Sequence, residues 1–219
     1  MQPSLSNAKN HEITATQDSS SLRWLALGAI AGPILVDFVW IILGWLRPGY
    51  SPLRQQISDL GLGFTAPFMN AAFILSGLLL LVGVVGIFQG LRNDVGTTAR
   101  IICACLLALS PLGHIVVGIF TEATLAAHTA GAALGFLTPV VSFLVTGLVL
   151  RRSLYWRRIG NWLLLASPLT LVLVLVFFQF APVNAPFAAA GLGGLAERAM
   201  AIQMHIWYVA LGWLAFQRS

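Results

Sequence analysis

The chain has 219 residues, of which 58% are hydrophobic and only 9% are charged, whereas a soluble domain carries about a quarter charged residues. A chain this apolar cannot cover its own surface with polar groups in water, so the composition excludes an ordinary soluble domain. The net charge of +5 does not indicate nucleic-acid binding, because the basic residues lie in short segments between long apolar runs.

Residues 1–22 are polar and contain too few apolar side chains to fold alone, so we predict a disordered cytoplasmic tail there. A membrane-spanning helix needs about 20 mostly apolar residues, and the apolar runs of this chain are too long and too continuous for barrel strands. Residues 23–219 therefore predict an all-α, polytopic membrane protein. Its six transmembrane helices are expected at about 23–46, 66–89, 99–120, 126–150, 159–181 and 196–216.

The distribution of basic residues predicts the orientation of these helices. With both termini in the cytoplasm, nine of the 12 lysines and arginines lie inside, and only Arg47, Arg54 and Arg198 lie outside. We therefore expect a multi-pass protein of the cell (plasma) membrane with cytoplasmic N- and C-termini. The densest basic cluster is typical of a topology anchor and could also bind an anionic lipid; it consists of Arg151, Arg152, Arg157 and Arg158.

The segment between the first two helices predicts a short amphipathic helix on the outer surface. Ser51 can cap it, Pro52 suits its first position, and Gly61 can end it. Its apolar face would consist of Leu53, Ile57 and Leu60. A capped connector without a ligand is the alternative interpretation of this segment.

Three pairs of glycines have the four-residue spacing that permits close helix packing: Gly28/Gly32, Gly86/Gly90 and Gly131/Gly135. These pairs could pack helices within one bundle or between protomers, so an oligomer formed through small-residue faces is one expectation.

Polar side chains concentrate in the predicted outer half of the membrane. An ionised carboxylate at mid-bilayer costs about 3 kcal/mol or more, so Asp37 is expected to face the bundle interior and to find a partner there. The candidate partners are His114, Arg54, Arg198 and His205. Alternatively, the outer acids and arginines simply neutralise one another as contacts between helices.

Common catalytic and metal-binding motifs are absent from the sequence. It contains no HExxH zinc motif, no GxSxG nucleophile elbow and no P-loop. We therefore predict no metal and no cofactor, and the sequence assigns no catalytic residue.

Three segments resemble one known family. The segment Tyr50–Gly61 is similar to the loop motif of a prokaryotic integral-membrane family known as domain of unknown function 998. Gly118–Glu122 followed by His128, and Gly194–Arg198, resemble two further stretches of that family, although Thr121 stands where proline is expected. The resemblance covers all six predicted helices and implies a distant likeness to the DRAM and FGF-receptor-activating-protein group. It implies no activity.

These observations favour a membrane protein with an outward-facing polar pocket for a lipid or a small ligand. Arginine pairs well with phosphate, so a lipid head group is the suggested occupant. The alternatives are an outer-leaflet lipid-modifying enzyme with His114 or His128 as base, a proton-coupled transporter using Asp37, and a scaffold or accessory subunit. The candidate ligand-binding residues are Asp37, Arg54, Ser58, Asp59, His114, Glu122, His128, Glu197, Arg198 and His205.

Overall fold

The computed structural model describes residues 23–182 and 184–218, so the tail predicted over 1–22 lies outside the described residues. The described chain forms six long α-helices and contains no strand. All six are long and apolar enough to cross a membrane, which confirms the all-α, six-helix class. The helices are α1 Gly28–Leu46, α2 Ala66–Gly90, α3 Thr97–Ile119, α4 Leu125–Leu150, α5 Arg157–Phe180 and α6 Gly193–Arg218.

Consecutive helices are neighbours in space, and α6 closes the bundle by packing against α1, α2 and α5. A 3₁₀ turn, Arg23–Leu27, leads into α1, and the Arg23 guanidinium lies 5.6 Å from the Phe216 ring centroid. Both termini of the described chain are therefore at one end of the bundle. We call this the Asp94 end, since it carries the loops 91–96 and 151–156. The opposite, Glu197 end carries the loops 47–65, 120–124 and 181–192.

Two prolines inside the helices have their missing hydrogen bonds replaced by side chains of other helices. Pro111 cannot donate to the Leu107 carbonyl, and the Tyr208 hydroxyl donates to that oxygen instead, at 2.7 Å. Pro139 likewise leaves the Gly135 carbonyl without its helical donor, and Ser110 Oγ donates to it at 2.8 Å. Inside a membrane an unsatisfied carbonyl is costly, and these two bonds remove that cost. They also join α6 to α3 and α3 to α4.

The predicted glycine faces pack helices within the chain. A Cβ added to Gly86 would lie 2.1 Å from the Ala26 nitrogen, and one added to Gly28 would lie 2.2 Å from the Leu79 carbonyl oxygen. At Gly131 an added Cβ would lie 2.6 Å from Val116. Each pair therefore has a close contact inside the bundle, and an oligomer through small-residue faces stays a prediction.

The expected amphipathic helix between α1 and α2 is instead a turn at 52–55 followed by a 3₁₀ turn, Ser58–Gly61. Ile57 and Leu60 are buried as predicted, but Leu53 is 53% exposed. The helix does not form because α6 side chains and Asp59 bind backbone groups that an α-helix would pair internally.

Asp94 joins its own loop to the 151–156 loop and to the C-terminal end of α6. Its carboxylate accepts hydrogen bonds from Arg218 at 3.1 and 3.2 Å, from Trp156 Nε1 at 3.2 Å and from Ser153 Oγ at 3.2 Å. Burial opposes the charged form, but these bonds and the Arg218 charge outweigh it and lower the pKa of Asp94. The four arginines of the predicted anchor cluster are exposed at this same end: Arg151, Arg152, Arg157 and Arg158.

Candidate functional site

Arg198, near the start of α6, holds the 47–57 loop against the bundle. Its guanidinium donates to the carbonyls of Pro52 and Gln55 at 2.8 Å each and to Gly194 at 2.9 Å. It also donates to the Tyr50 hydroxyl. Burial raises the pKa of Tyr50 against the opposing influence of this guanidinium. A Cβ on Gly194 would lie 2.1 Å from the Gln55 carbonyl oxygen, so only glycine permits this approach.

Glu197 and Glu122 bind the next part of the same loop. Glu197 Oε2 accepts the Ile57 N–H at 2.5 Å, although the two residues are 140 positions apart. Ser58 Oγ donates to Glu122 Oε1. The three sequence segments that carry the family resemblance therefore meet at the Glu197 end of the bundle.

Two buried histidines line one cavity with these carboxylates. His128 is 8% exposed, and its Nδ1 lies 2.7 Å from the Phe120 carbonyl oxygen. Since a carbonyl can only accept, Nδ1 carries the proton and Nε2 is left as an acceptor in the neutral ring. His114, also 8% exposed, has Nδ1 3.4 Å from Ser76 Oγ. Within the described chain neither histidine hydrogen-bonds a carboxylate, as a catalytic histidine–acid pair would require.

Asp37 has His205 as its partner, one of the four partners that the sequence suggested. His205 Nδ1 lies 2.8 Å from Asp37 Oδ1, and Trp40 Nε1 donates to the same oxygen at 3.0 Å. The His205 ring centroid is 5.6 Å from that of His114. Asp37 and His205 line a separate, shallower groove of about 380 Å³ between α1 and α6, which faces outward from the bundle.

The larger cavity, about 500 Å³, lies between α3, α4, α5 and α6 and reaches the 56–58 loop. We call it the Glu197 cavity. Its wall is mostly apolar and includes Phe73, Phe136, Phe177 and Phe178. Five of the ten predicted site residues line it: Ser58, His114, Glu122, His128 and Glu197.

Three other predicted residues belong to the loop after α1 or bind it, and they do not line the cavity. The Arg198 Nη1 and Nη2 groups bind the loop, as described above. Asp59 Oδ2 accepts the Gln56 N–H at 2.8 Å, and its carbonyl accepts from Arg47. Arg54 is exposed, and its guanidinium has no hydrogen-bond partner among residues 23–182 and 184–218. No arginine lines the cavity, so its wall does not supply the phosphate partner that the sequence suggested.

Sequence reasoning did not select Tyr50, Gln56 or Asp94. Tyr50 belongs to the loop motif, and its hydroxyl donates to the Gln56 carbonyl at 2.7 Å, so the motif itself was the available signal. The Gln56 side chain lines the cavity. The signal for Asp94 was its position as a lone acid in a loop on the predicted arginine-rich side.

These features define the chain as a six-helix integral membrane protein in which a loop, held by α6, covers one end of an internal cavity. The family model described as "Protein of unknown function (DUF998)" matches residues 30–214, and the chain belongs to this family. No curated protein matches the chain. No solved structure matches it either.

Proposed function

We propose that this protein binds an amphiphilic molecule, such as a lipid, in the Glu197 cavity. The observation that carries the proposal is the composition of the wall, which combines a long apolar surface with a polar group of side chains at one end. Pockets for small molecules have this composition, with few polar groups that orient the ligand. The polar end of the ligand would meet Glu122, His128 and Glu197.

The apolar tail of the ligand would reach the cavity from the bilayer, between α4 and α5. Leu137 on α4 and Phe178 on α5 both line the cavity, and they are 43% and 52% exposed. Towards the Asp94 end the same two helices are in close contact, since a Cβ on Gly147 would lie 2.9 Å from the Gly160 carbonyl oxygen. The proposed lateral entry is therefore at the level of Leu137 and Phe178 and not at the closely packed Asp94 end.

A substitution that fills the cavity tests this proposal. Ala133 lines the cavity on α4, and Ala133→Phe places a ring in it, whereas Ala130→Phe adds the same ring on an exposed position of the same helix that does not line it. Native mass spectrometry of the gently purified protein should show a bound amphiphile in the wild type and in Ala130→Phe. Ala133→Phe should lose it while keeping its melting temperature.

A bound molecule that stays equally abundant in Ala133→Phe would place the ligand elsewhere and contradict the proposal. The groove beside Asp37 would then be the alternative site, and Ile206→Trp, on an exposed residue that lines this groove, would address it.

We further propose that the protein resides in the cell membrane with its Asp94 end in the cytoplasm. The arginines at that end support this orientation under the positive-inside rule. In this orientation the Glu197 cavity faces the outer leaflet. The exposed cluster Arg151, Arg152, Arg157 and Arg158 would meet anionic head groups of the inner leaflet.

A further inference from the structure

The polar groups of the Glu197 cavity include the Gln56 amide and the Ser58 and Thr129 hydroxyls, together with several groups that accept hydrogen bonds. Glu197 is 5% exposed, and one of its oxygens is bound to the Ile57 N–H. No donor among the described residues is bound to its other oxygen. Glu122 is only partly buried, and one of its oxygens is bound to Ser58. His128 presents Nε2 as a further acceptor, because its Nδ1 proton is directed at the Phe120 carbonyl.

The wall of the cavity holds two carboxylates, and the described residues that line it include no lysine or arginine. Arg198 follows Glu197 in the chain, but its guanidinium is bound to loop carbonyls and to Tyr50. Two neighbouring carboxylates in a poorly solvated cavity repel one another, and a cation between them relieves this repulsion. An anionic head group would be repelled by the same two side chains.

We propose that the ligand is a cationic amphiphile whose polar end is a protonated primary or secondary amine. This inference rests on the proposed function and specifies its ligand class. An ammonium N–H donates to the free oxygens of Glu122 and Glu197 and to His128 Nε2. A quaternary ammonium carries the charge but has no N–H, so it satisfies these acceptors less well. Phe73, beside His114 with ring centroids 6.3 Å apart, offers an aromatic surface that also attracts a cation.

The probes are four molecules with the same dodecyl chain and different polar ends: dodecylammonium, dodecyltrimethylammonium, dodecanol and dodecyl phosphate. Their binding is measured by equilibrium dialysis against the full chain in nanodiscs of zwitterionic lipid, with empty nanodiscs subtracted. Wild type should bind dodecylammonium at least tenfold more tightly than each of the other three.

Two isosteric variants test the assigned carboxylates. Glu197→Gln keeps an oxygen for the Ile57 N–H, and Glu122→Gln keeps one for Ser58, so both should fold. Each should weaken dodecylammonium binding by about tenfold to 100-fold, as expected for the loss of one charge-assisted hydrogen bond. Asp94→Asn, a matched loss of one carboxylate charge at the other end of the bundle, should bind as the wild type does.

The outcomes separate this inference from the proposed function. If dodecanol or dodecyl phosphate binds as tightly as dodecylammonium and Ala133→Phe abolishes that binding, the cavity is a ligand site but the amine assignment is wrong. The amine assignment also fails if Glu197→Gln and Glu122→Gln leave dodecylammonium binding unchanged. If Ala133→Phe affects none of the four probes, both proposals fail.

Discussion

Glu197 and Arg198 are adjacent in the sequence, but their side chains make different kinds of contact. The Arg198 Nη1 and Nη2 groups donate hydrogen bonds to three carbonyls and one hydroxyl within the chain. Glu197 binds the loop with one oxygen and lines the cavity with its side chain. At the scale of the residue, Arg198 binds the loop, and Glu197 also has an oxygen to which no donor of the described residues is bound.

Substitution of Arg198 by lysine should therefore lower stability. A lysine keeps the charge but lacks the planar, forked guanidinium that reaches several carbonyls at once. We expect a loss of about 1.5–3 kcal/mol in the free energy of unfolding, the range for a hydrogen-bonded charged group. The measurement is thermal unfolding, combined with hydrogen exchange of the backbone amides in 51–61, which should become faster.

Arg54→Lys is the control for this prediction, because Arg54 is exposed and its side chain has no hydrogen-bond partner in the described part of the chain. Its melting temperature should equal that of the wild type. Equal stability of Arg198→Lys and Arg54→Lys would show that the Arg198 hydrogen bonds do not hold the loop.

At the scale of the element, the glycine faces of α1, α2 and α4, here called glycine seams, determine how closely these helices approach one another. Gly86 contacts the backbone of Ala26, and Gly28 contacts that of Leu79. Such contacts bring the α1 and α2 backbones together over several turns, and no larger side chain fits between them. The seam therefore sets the position of α1, which carries Asp37 and leads into the 47–57 loop.

Gly86→Ala should destabilise the bundle even though alanine favours a helix. Its Cβ would lie 2.1 Å from the Ala26 nitrogen, so the two backbones must separate, at a cost of about 1–3 kcal/mol for overpacking. In Gly135→Ala the added Cβ meets no atom within 4 Å, and the helix gains about 0.5–1 kcal/mol. Thermal unfolding should give a lower melting temperature for Gly86→Ala and an unchanged or higher one for Gly135→Ala. The reverse order would contradict the assigned seam.

At the scale of the whole molecule, the two ends of the bundle differ in chemistry. The Asp94 end carries the exposed arginines and one carboxylate that binds the 151–156 loop and the end of α6. The Glu197 end carries the cavity, whose described wall includes two carboxylates and two histidines. This asymmetry is the basis for the proposed orientation, in which the cavity faces outward.

Labelling with a membrane-impermeant maleimide tests the orientation in intact cells that express the protein. The two native cysteines, Cys103 and Cys105, are first replaced by alanine. Leu53→Cys, at the Glu197 end, should then react, whereas Leu154→Cys should react only after lysis. Both positions are exposed, at 53% and 88%, so access to the reagent depends on the side of the membrane. If Leu154→Cys alone is labelled in intact cells, the orientation of the protein is the reverse of the proposed one.

The number of helices and the pairing of Asp37 with an internal partner could be predicted because both follow from the cost of placing residues in a membrane. Long apolar runs form helices there since backbone groups must be paired, and a carboxylate such as Asp37 needs a partner. The expected inward orientation of Asp37 differs from the structure, in which Asp37 lines the groove that faces outward from the bundle. The prediction of a short helix at 51–61 was wrong, and the reason again concerns the pairing of backbone groups. Its apolar pattern was correct at Ile57 and Leu60, but its backbone groups bind Glu197 and Arg198, which are more than 130 residues distant.

The sequence by itself determined the six-helix class and the family, because hydropathy and short motifs are local properties of the chain. Only the tertiary structure decided that Glu122, His128 and Glu197 share one cavity, that Arg198 is bound to the loop, and that Asp37 pairs with His205. Which side chains meet depends on the rotation and the approach of each helix. Those are set by the glycine seams and the bonds at Pro111 and Pro139, which involve residues far apart in the sequence.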